Sequence, residues 1–344
     1  LANNDLTYEK KHELNFGIDA GFLNNRINFT FDIYSRRNYD LIGVINTLGT
    51  GGEPRKYGNV AKMKSNGVEI ALNTVNIKTK DFTWTTDLIY SHMHNEVTEL
   101  NTLNRMYDYI SGSGFTMPGY PQRSLFSIPF MGLNNEGLPT FLDQDGNVSV
   151  TGINMQEYDP ERLKFLKYEG PVDPTDVGSL GNVFRYKGVT LNLFITYSFG
   201  NVVRLDPVFS SSYSDLTATP KEFKDRWVKP GDENFTNVPV IASKQQLNNI
   251  AYLSTAYQAY NYSTERVAKG DFIRMKEISL GYEFPKSITQ PLRLSNLSLK
   301  LMATNLFLIY ADKKLNGQDP EFFNAGGVAN PMPKQFTLTL KFGI

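Results

Sequence analysis

The feature that most limits what this chain can fold into is a two-residue alternation sustained over unusually long stretches. In Leu14-Asn15-Phe16-Gly17-Ile18-Asp19-Ala20-Gly21-Phe22 every even position is apolar and every odd one is polar or glycine. A period of two puts successive side chains on opposite faces, so this segment is a strand with one apolar face. After the short turn Leu23-Asn24-Asn25 the pattern resumes with Ile27, Phe29, Phe31 and Ile33 against Asn28, Thr30 and Asp32, which predicts a tight hairpin continuing to about residue 40.

The same unit recurs along the chain. Val68, Ile70 and Leu72 precede a turn at Lys78-Thr79-Lys80-Asp81, and Phe82, Trp84, Leu88 and Tyr90 follow it. A strand ending near Lys187-Gly188 leads into Val189, Leu191, Leu193, Ile195, Tyr197 and Phe199. Ile278-Leu280-Tyr282-Phe284, Leu297-Leu299-Leu301 and Phe336-Leu338-Leu340-Phe342-Ile344 complete the set. Roughly nine long strands result, many exceeding the roughly 9 to 11 residues that a tilted membrane strand needs. No window holds the roughly 18 consecutive apolar residues of a membrane helix, whereas barrel strands alternate and never produce such a run.

The connections alternate between two lengths. Those at 23 to 25, 78 to 81 and 187 to 188 are tiny and the 286 to 295 link is modest. The segments at about 41 to 65, 96 to 180, 205 to 269 and 310 to 333 are long and rich in Gly, Pro, Asn and Asp. Outer-membrane barrels combine short periplasmic turns with long extracellular loops in this way, and strand parity then places the C-terminus on the periplasmic side. The alternative is a soluble β-sandwich, but its strands would be about 5 to 6 residues long and loops of this size would be anomalous there.

Composition removes several function classes. The 35 basic and 35 acidic residues leave no net charge, so nothing draws nucleic acid by long-range attraction, and the absence of cysteine removes disulfides, thiolate metal sites and cysteine nucleophiles. The 23 Phe and 19 Tyr fit a β-rich or membrane-interfacial protein alike. Leu1-Ala2-Asn3-Asn4-Asp5 carries no export signal, so the chain is expected to be processed or a fragment.

Several segments, in their observed order, resemble the C-terminal barrel region of SusC/RagA-type TonB-dependent transporters. Tyr57-Gly58-Asn59-Val60 followed by Lys64-Ser65-Asn66-Gly67-Val68-Glu69-Ile70 resembles the family's stretch in which an Asn-Gly pair opens a strand. Asp81-Phe82-Thr83-Trp84 and Asn95-Glu96-Val97-Thr98-Glu99-Leu100 resemble the start and end of the next strand. Arg226-Trp227 with Pro230-Gly231-Asp232, Asp271-Phe272-Ile273-Arg274-Met275-Lys276 before Leu280-Gly281-Tyr282, Thr304-Asn305-Leu306 and Gly317-Gln318-Asp319-Pro320-Glu321 continue the series. The final residue, Ile344, departs from the aromatic on which such barrels usually finish.

The resemblance implies an all-β fold: an antiparallel transmembrane β-barrel of which residues 1–344 form the C-terminal portion, with roughly nine of about 22 strands, long extracellular loops, and the plug and N-terminal extension outside this chain. It further implies TonB-dependent import of glycan or peptide oligomers across the outer membrane of a Gram-negative bacterium. A SusD-like lipoprotein would form the lid, TonB would act through the missing N-terminal part, lipid would surround the barrel, and neither cofactor nor catalysis is expected. Other readings are a passive barrel or adhesin, and a soluble β-rich carbohydrate-binding protein or enzyme. A sheet of about nine strands cannot enclose a plug, so the strands near 8 to 22 and 333 to 344 are expected not to pair with each other.

Among residues that could carry chemistry, His92 and His94 share one strand face and could bind a metal, but they also continue the apolar phase of Trp84, Leu88 and Tyr90 toward a membrane interface. Asp143-Gln144-Asp145-Gly146-Asn147 opens like a calcium loop but lacks its later ligands, and an Asp-Gly turn accounts for it. Tyr107, Tyr109, Phe115 and Tyr120 in one long loop, and Tyr252, Tyr257, Tyr260 and Tyr262 in another, are the candidate contacts to substrate or lid. Their rings can stack on sugar faces or peptide side chains, or pack the loops against each other.

Overall fold

A computed structural model describes residues 6–46, 52, 54–102, 104–111, 114–209, 221–323 and 333–344. The chain first runs through four long strands: β1 (Lys10–Phe22), β2 (Ile27–Asn46), β3 (Arg55–Lys78) and β4 (Phe82–Leu100). A first insertion carries the short strands β5 (Ser124–Ser127), β6 (Phe130–Leu133), β7 (Pro139–Leu142), β8 (Val148–Ser149) and β9 (Lys167–Pro171). The wall resumes with β10 (Asp176–Tyr186) and β11 (Val189–Phe199), a second insertion holds β12 (Val202–Arg204) and β13 (Val267–Lys269), and β14 (Phe272–Glu283), β15 (Asn296–Ala311) and β16 (Gln335–Gly343) finish it. Nine of these form one antiparallel sheet in the order β1-β2-β3-β4-β10-β11-β14-β15-β16. Among the described residues, β1 and β16 do not pair and the sheet stays open, as expected for those two strands. No helix among them is long and apolar enough to cross a membrane.

Register converts the alternation of each strand into a property of the whole sheet. Ala20, Phe29, Leu72, Leu88, Leu180, Ile195, Met275 and Phe307 are successive cross-strand partners over eight strands. Ile18, Phe31, Ile70, Tyr90, Gly178, Tyr197, Ile273 and Tyr310 form the adjacent row of the same face. Between them, on the opposite face, runs Asp19, Thr30, Ala71, Ile89, Ser179 and Thr196. Among the described residues nothing covers the apolar face, and Phe16 and Leu338 stand 58% and 68% exposed on it. A patch of this extent has no place on a water-facing surface, where apolar patches reach only about 300–600 Å². The buried core lies elsewhere, in the two insertions.

One polar interruption of the apolar face is internally satisfied. Trp84 Nε1 and the Thr86 hydroxyl donate to Asn182 Oδ1 at 3.0 and 2.8 Å, and Asn76 Nδ2 donates to Thr86 Oγ1 at 2.7 Å. Mutual pairing is what hydrocarbon demands of side chains that cannot reach water.

Three expectations need correction. Most of the 41 to 65 segment, read as a loop, is strand: β2 reaches Asn46 and β3 begins at Arg55, with Ile42 opposite Asn59, Gly43 opposite Gly58 and Val44 opposite Tyr57. A bulge around Asp40, whose φ is +56°, breaks the alternation there, and the two glycines look like loop residues in the sequence. β4 runs to Leu100 and β10 starts at Asp176, which shortens the 96 to 180 connection at both ends. Asn66-Gly67 does not open a strand but lies inside β3. Gly67 instead makes room for the Tyr34 ring of β2: a Cβ there would sit 2.3 Å from Tyr34 Cζ, and the Arg36 guanidinium lies 3.9 Å from that ring's centre. Gly67→Val should therefore eject the ring and destabilise the sheet by about 1–3 kcal/mol, measurable as a lower urea midpoint of the full-length protein in vesicles.

Candidate functional site

The two insertions, separated by over a hundred residues in places, fold into one body at the long-loop end of the sheet. Phe126, Ile128, Leu138 and Phe141 from the first meet Leu253, Ala259 and Tyr260 from the second in one apolar core. Backbone bonds join them, Ile128 N donating to Tyr262 O at 3.1 Å and Thr264 N to Ile128 O at 3.0 Å. Arg204 acts as a central tie: its Nη1 donates to Ser127 Oγ and Ser263 O at 3.0 and 3.1 Å, and its Nη2 to Phe126 O at 2.6 Å. Burial drags the Arg204 pKa down to about 10, so the cation persists at neutral pH, held by carbonyl and hydroxyl dipoles. A second tie fixes the 312–323 segment to the wall, where buried Arg274 pairs with Asp319 and, at 3.1 Å, with Glu321.

The eight candidate aromatics divide into three groups. Tyr109, Tyr257 and Tyr260 are interior, Tyr260 being wholly inaccessible, so they fill the core. Phe115, Tyr120 and Tyr262 pack against its edge, Tyr120 lying 5.1 Å from Phe126 and 4.7 Å from Tyr168 between ring centres. Tyr107 and Tyr252 alone face an open pocket of about 650 Å³. Tyr107 leans edge-on against Tyr262 at 5.8 Å, and burial pushes the Tyr262 phenol up to about 12, so the ring supporting the pocket stays neutral. Tyr252 stands at the N-terminus of helix α2 (Leu253–Asn261) with φ +63° and 74% of its surface exposed.

The remaining lining is uncharged apart from Arg105. Thr151, Asn154 and Gln156 come from one side and Thr255 and Gln258 from α2. Arg105 precedes the short helix α1 (Met106–Ile110) and is occupied by Asp108 at 3.2 Å and Gln156 Oε1 at 3.1 Å. Met106 N and Tyr107 N donate to Glu157 O and Met155 O, which lashes the 151–157 segment to α1 and fixes the pocket's shape. Two flat rings among amides and hydroxyls can stack on and hydrogen-bond a neutral, polar, extended ligand. No sequence signal distinguished these amide and hydroxyl residues from ordinary loop positions.

The other candidates have structural partners. His92 Nδ1 lies 2.9 Å from Asp176 Oδ1, which also accepts from the Tyr90 hydroxyl at 2.6 Å, all at the loop-end rim of the apolar face. Among the described residues no group of three or more His, Asp or Glu is placed to hold a metal. Asp143 Oδ1 accepts from Asp145 N and Asn147 N at 3.0 and 2.9 Å, with Gly146 at φ +81°, which is an Asp-Gly turn.

Comparison with known proteins agrees with this architecture. The family model described as TonB dependent receptor-like, beta-barrel, matches residues 1–219. TonB-dependent receptor P39 of Formosa agariphila is 26% identical over 96% of this chain and 34% of its own length. TonB-dependent receptor SusC of Bacteroides thetaiotaomicron is 27% identical over 98% of this chain and 32% of its own length. The chain thus spans about a third of the curated relatives it matches. Among solved structures, the RagAB peptide transporter superposes with a TM-score of 0.74 at 24% identity, over 99% of this chain and 36% of that one. At this identity the likeness speaks to the fold, and with the family match it makes the nine-stranded sheet part of a β-barrel wall.

Proposed function

From a chain that belongs to the TonB-dependent receptor-like β-barrel family, we propose that the protein is an outer-membrane importer of oligomeric nutrients. In this reading residues 1–344 are the C-terminal portion of the barrel, and β1 and β16 pair with polypeptide outside them. Open edges support this, since unpaired backbone amides cost several kcal/mol each in hydrocarbon. The apolar face meets lipid, the polar face lines the lumen, and the body built from the insertions stands outside the cell.

The observation that carries the proposal is the pocket between Tyr107 and Tyr252, held on a rigidly packed body at one end of a lipid-facing wall. The pocket receives a glycan or peptide segment, a SusD-like lipoprotein closes over it, and TonB drives release through a plug. No substrate bond is made or broken and no cofactor takes part. A soluble binding protein would not leave rows of Phe, Ile and Leu uncovered over eight strands.

Tyr252→Ala in the full-length receptor with its lid should weaken oligomer binding about 2- to 12-fold, the equivalent of about 0.5–1.5 kcal/mol for a stacked ring. Titration against glycan and peptide pools measures this. Unaltered affinity for every ligand the wild-type complex binds would remove the pocket from the import path. Uptake that continues without TonB would mark a passive barrel.

A further inference from the structure

The chain is electrically neutral overall, yet its charge is divided between the two ends of the sheet. The four connections at the short-turn end are 23–26, 79–81, 187–188 and 284–295. Together they contain five cations, Arg26, Lys80, Lys187, Lys286 and Arg293, against the single acid Asp81, and the strand residues that border them add one of each sign, Lys78 and Glu283. Every one of the four turns carries at least one cation. At the long-loop end the balance differs: 101–175 holds nine acids against five cations, and 200–271 holds eight of each.

The turn cations also lack acid partners. Each is exposed, and among the described residues none is matched with a carboxylate, although Arg26 donates to Val75 O and Asn76 O and Lys187 lies 5.3 Å from the Tyr186 ring; the buried Arg266 and Arg274 of the other end both have acid partners. Like charges gathered at one rim repel, and an external anion bound there offsets that cost. Beside them stand exposed apolar side chains: Leu23 in the first turn, Ile77 next to Lys78, and Ile288 and Leu292 flanked by Lys286 and Arg293 in the last. Helix α3 (Lys286–Thr289) presents one such pair. Apolar tips among cations fit a boundary whose inner side is hydrocarbon and whose surface is anionic.

We propose that the short-turn rim binds the headgroups of anionic phospholipid in the adjoining leaflet, with Lys80, Lys187, Lys286 and Arg293 on the phosphates and Ile288 and Leu292 in the acyl boundary. The proposal rests on the reading that the apolar face meets lipid. Continuity decides for a lipid over a soluble polyanion, because the cations directly follow the apolar rows: Tyr186 and Val189 bracket Lys187, and Tyr282 leads into the Lys286 turn. The rim would thereby fix the barrel's depth and resist tilting when force is applied from that side.

The test uses the full-length receptor in phosphatidylcholine vesicles doped with spin-labelled phosphatidylglycerol or spin-labelled phosphatidylcholine, reading the motionally restricted fraction. At low salt phosphatidylglycerol should associate about three- to tenfold more strongly, and the preference should fade in 1 M salt, where the Debye length is about 3 Å. The combined variant Lys80→Gln, Lys187→Gln, Lys286→Gln and Arg293→Gln should abolish the preference. A control that neutralises Lys164, Lys167, Lys224 and Lys229 should retain it. Equal association of the two lipids, or a preference that survives the rim variant, overturns the proposal. No restricted lipid with either label would instead overturn the membrane reading beneath it.

Discussion

Arginine in place of Leu193 should destabilise the inserted protein by about 2–4 kcal/mol, while arginine in place of the neighbouring Asn192 should cost little. Leu193 continues the apolar face, between Asn182 and Ile278 in register, where a guanidinium would be pushed into hydrocarbon. Asn192 points to the other face and donates to Glu277 Oε1 at 3.1 Å, so an arginine there meets a carboxylate already in place. Urea unfolding of the full-length protein in lipid vesicles gives both values. Equal tolerance of the two substitutions would remove the assignment of the apolar face to lipid.

The second large effect is expected in the body built from the insertions. Tyr260→Ala empties the site of its largest fully buried side chain and should cost the body about 3–5 kcal/mol. Tyr260→Phe should cost far less than the Ala change, because the ring still fills the site and only the buried hydroxyl beside Arg266 is lost. Since both insertions share that core, the Ala variant should open 102–175 and 201–271 to protease together while the strands stay protected. Cleavage confined to the second insertion would show that the two fold independently. The same coupling means that deleting either insertion should disorder the other, and should reduce uptake or lid association while the barrel remains inserted.

The wall was legible because each strand carries its own evidence. The period of two, the tiny turns at 78–81 and 187–188 and the long connections opposite them required no knowledge of distant residues. Bulges hid part of it: Asp40 shifts the phase of β2, so Leu41 to Asn46 read as loop although they pair with β3. The joined body was not legible. Its core forms where Phe141 and Tyr260 come together from different insertions, and no local pattern records such a meeting. For the same reason the aromatic content of the loops was visible while its division was not. Tyr107 and Tyr252 resemble Tyr109 and Tyr257 in sequence, and only packing separates pocket from core.

The central claim is that one face of the sheet touches lipid and the other does not. Nitroxide labels placed singly at Leu297, Ser298, Leu299, Lys300, Leu301 and Met302 of the full-length receptor in vesicles test it on one strand, β15. Oxygen, concentrated in the bilayer, should relax the labels at 297, 299 and 301, while a water-soluble nickel complex is excluded from them. Labels at 298, 300 and 302 should show low oxygen contact. Six labels equally open to the nickel complex, with no two-residue alternation, would contradict the membrane-barrel account.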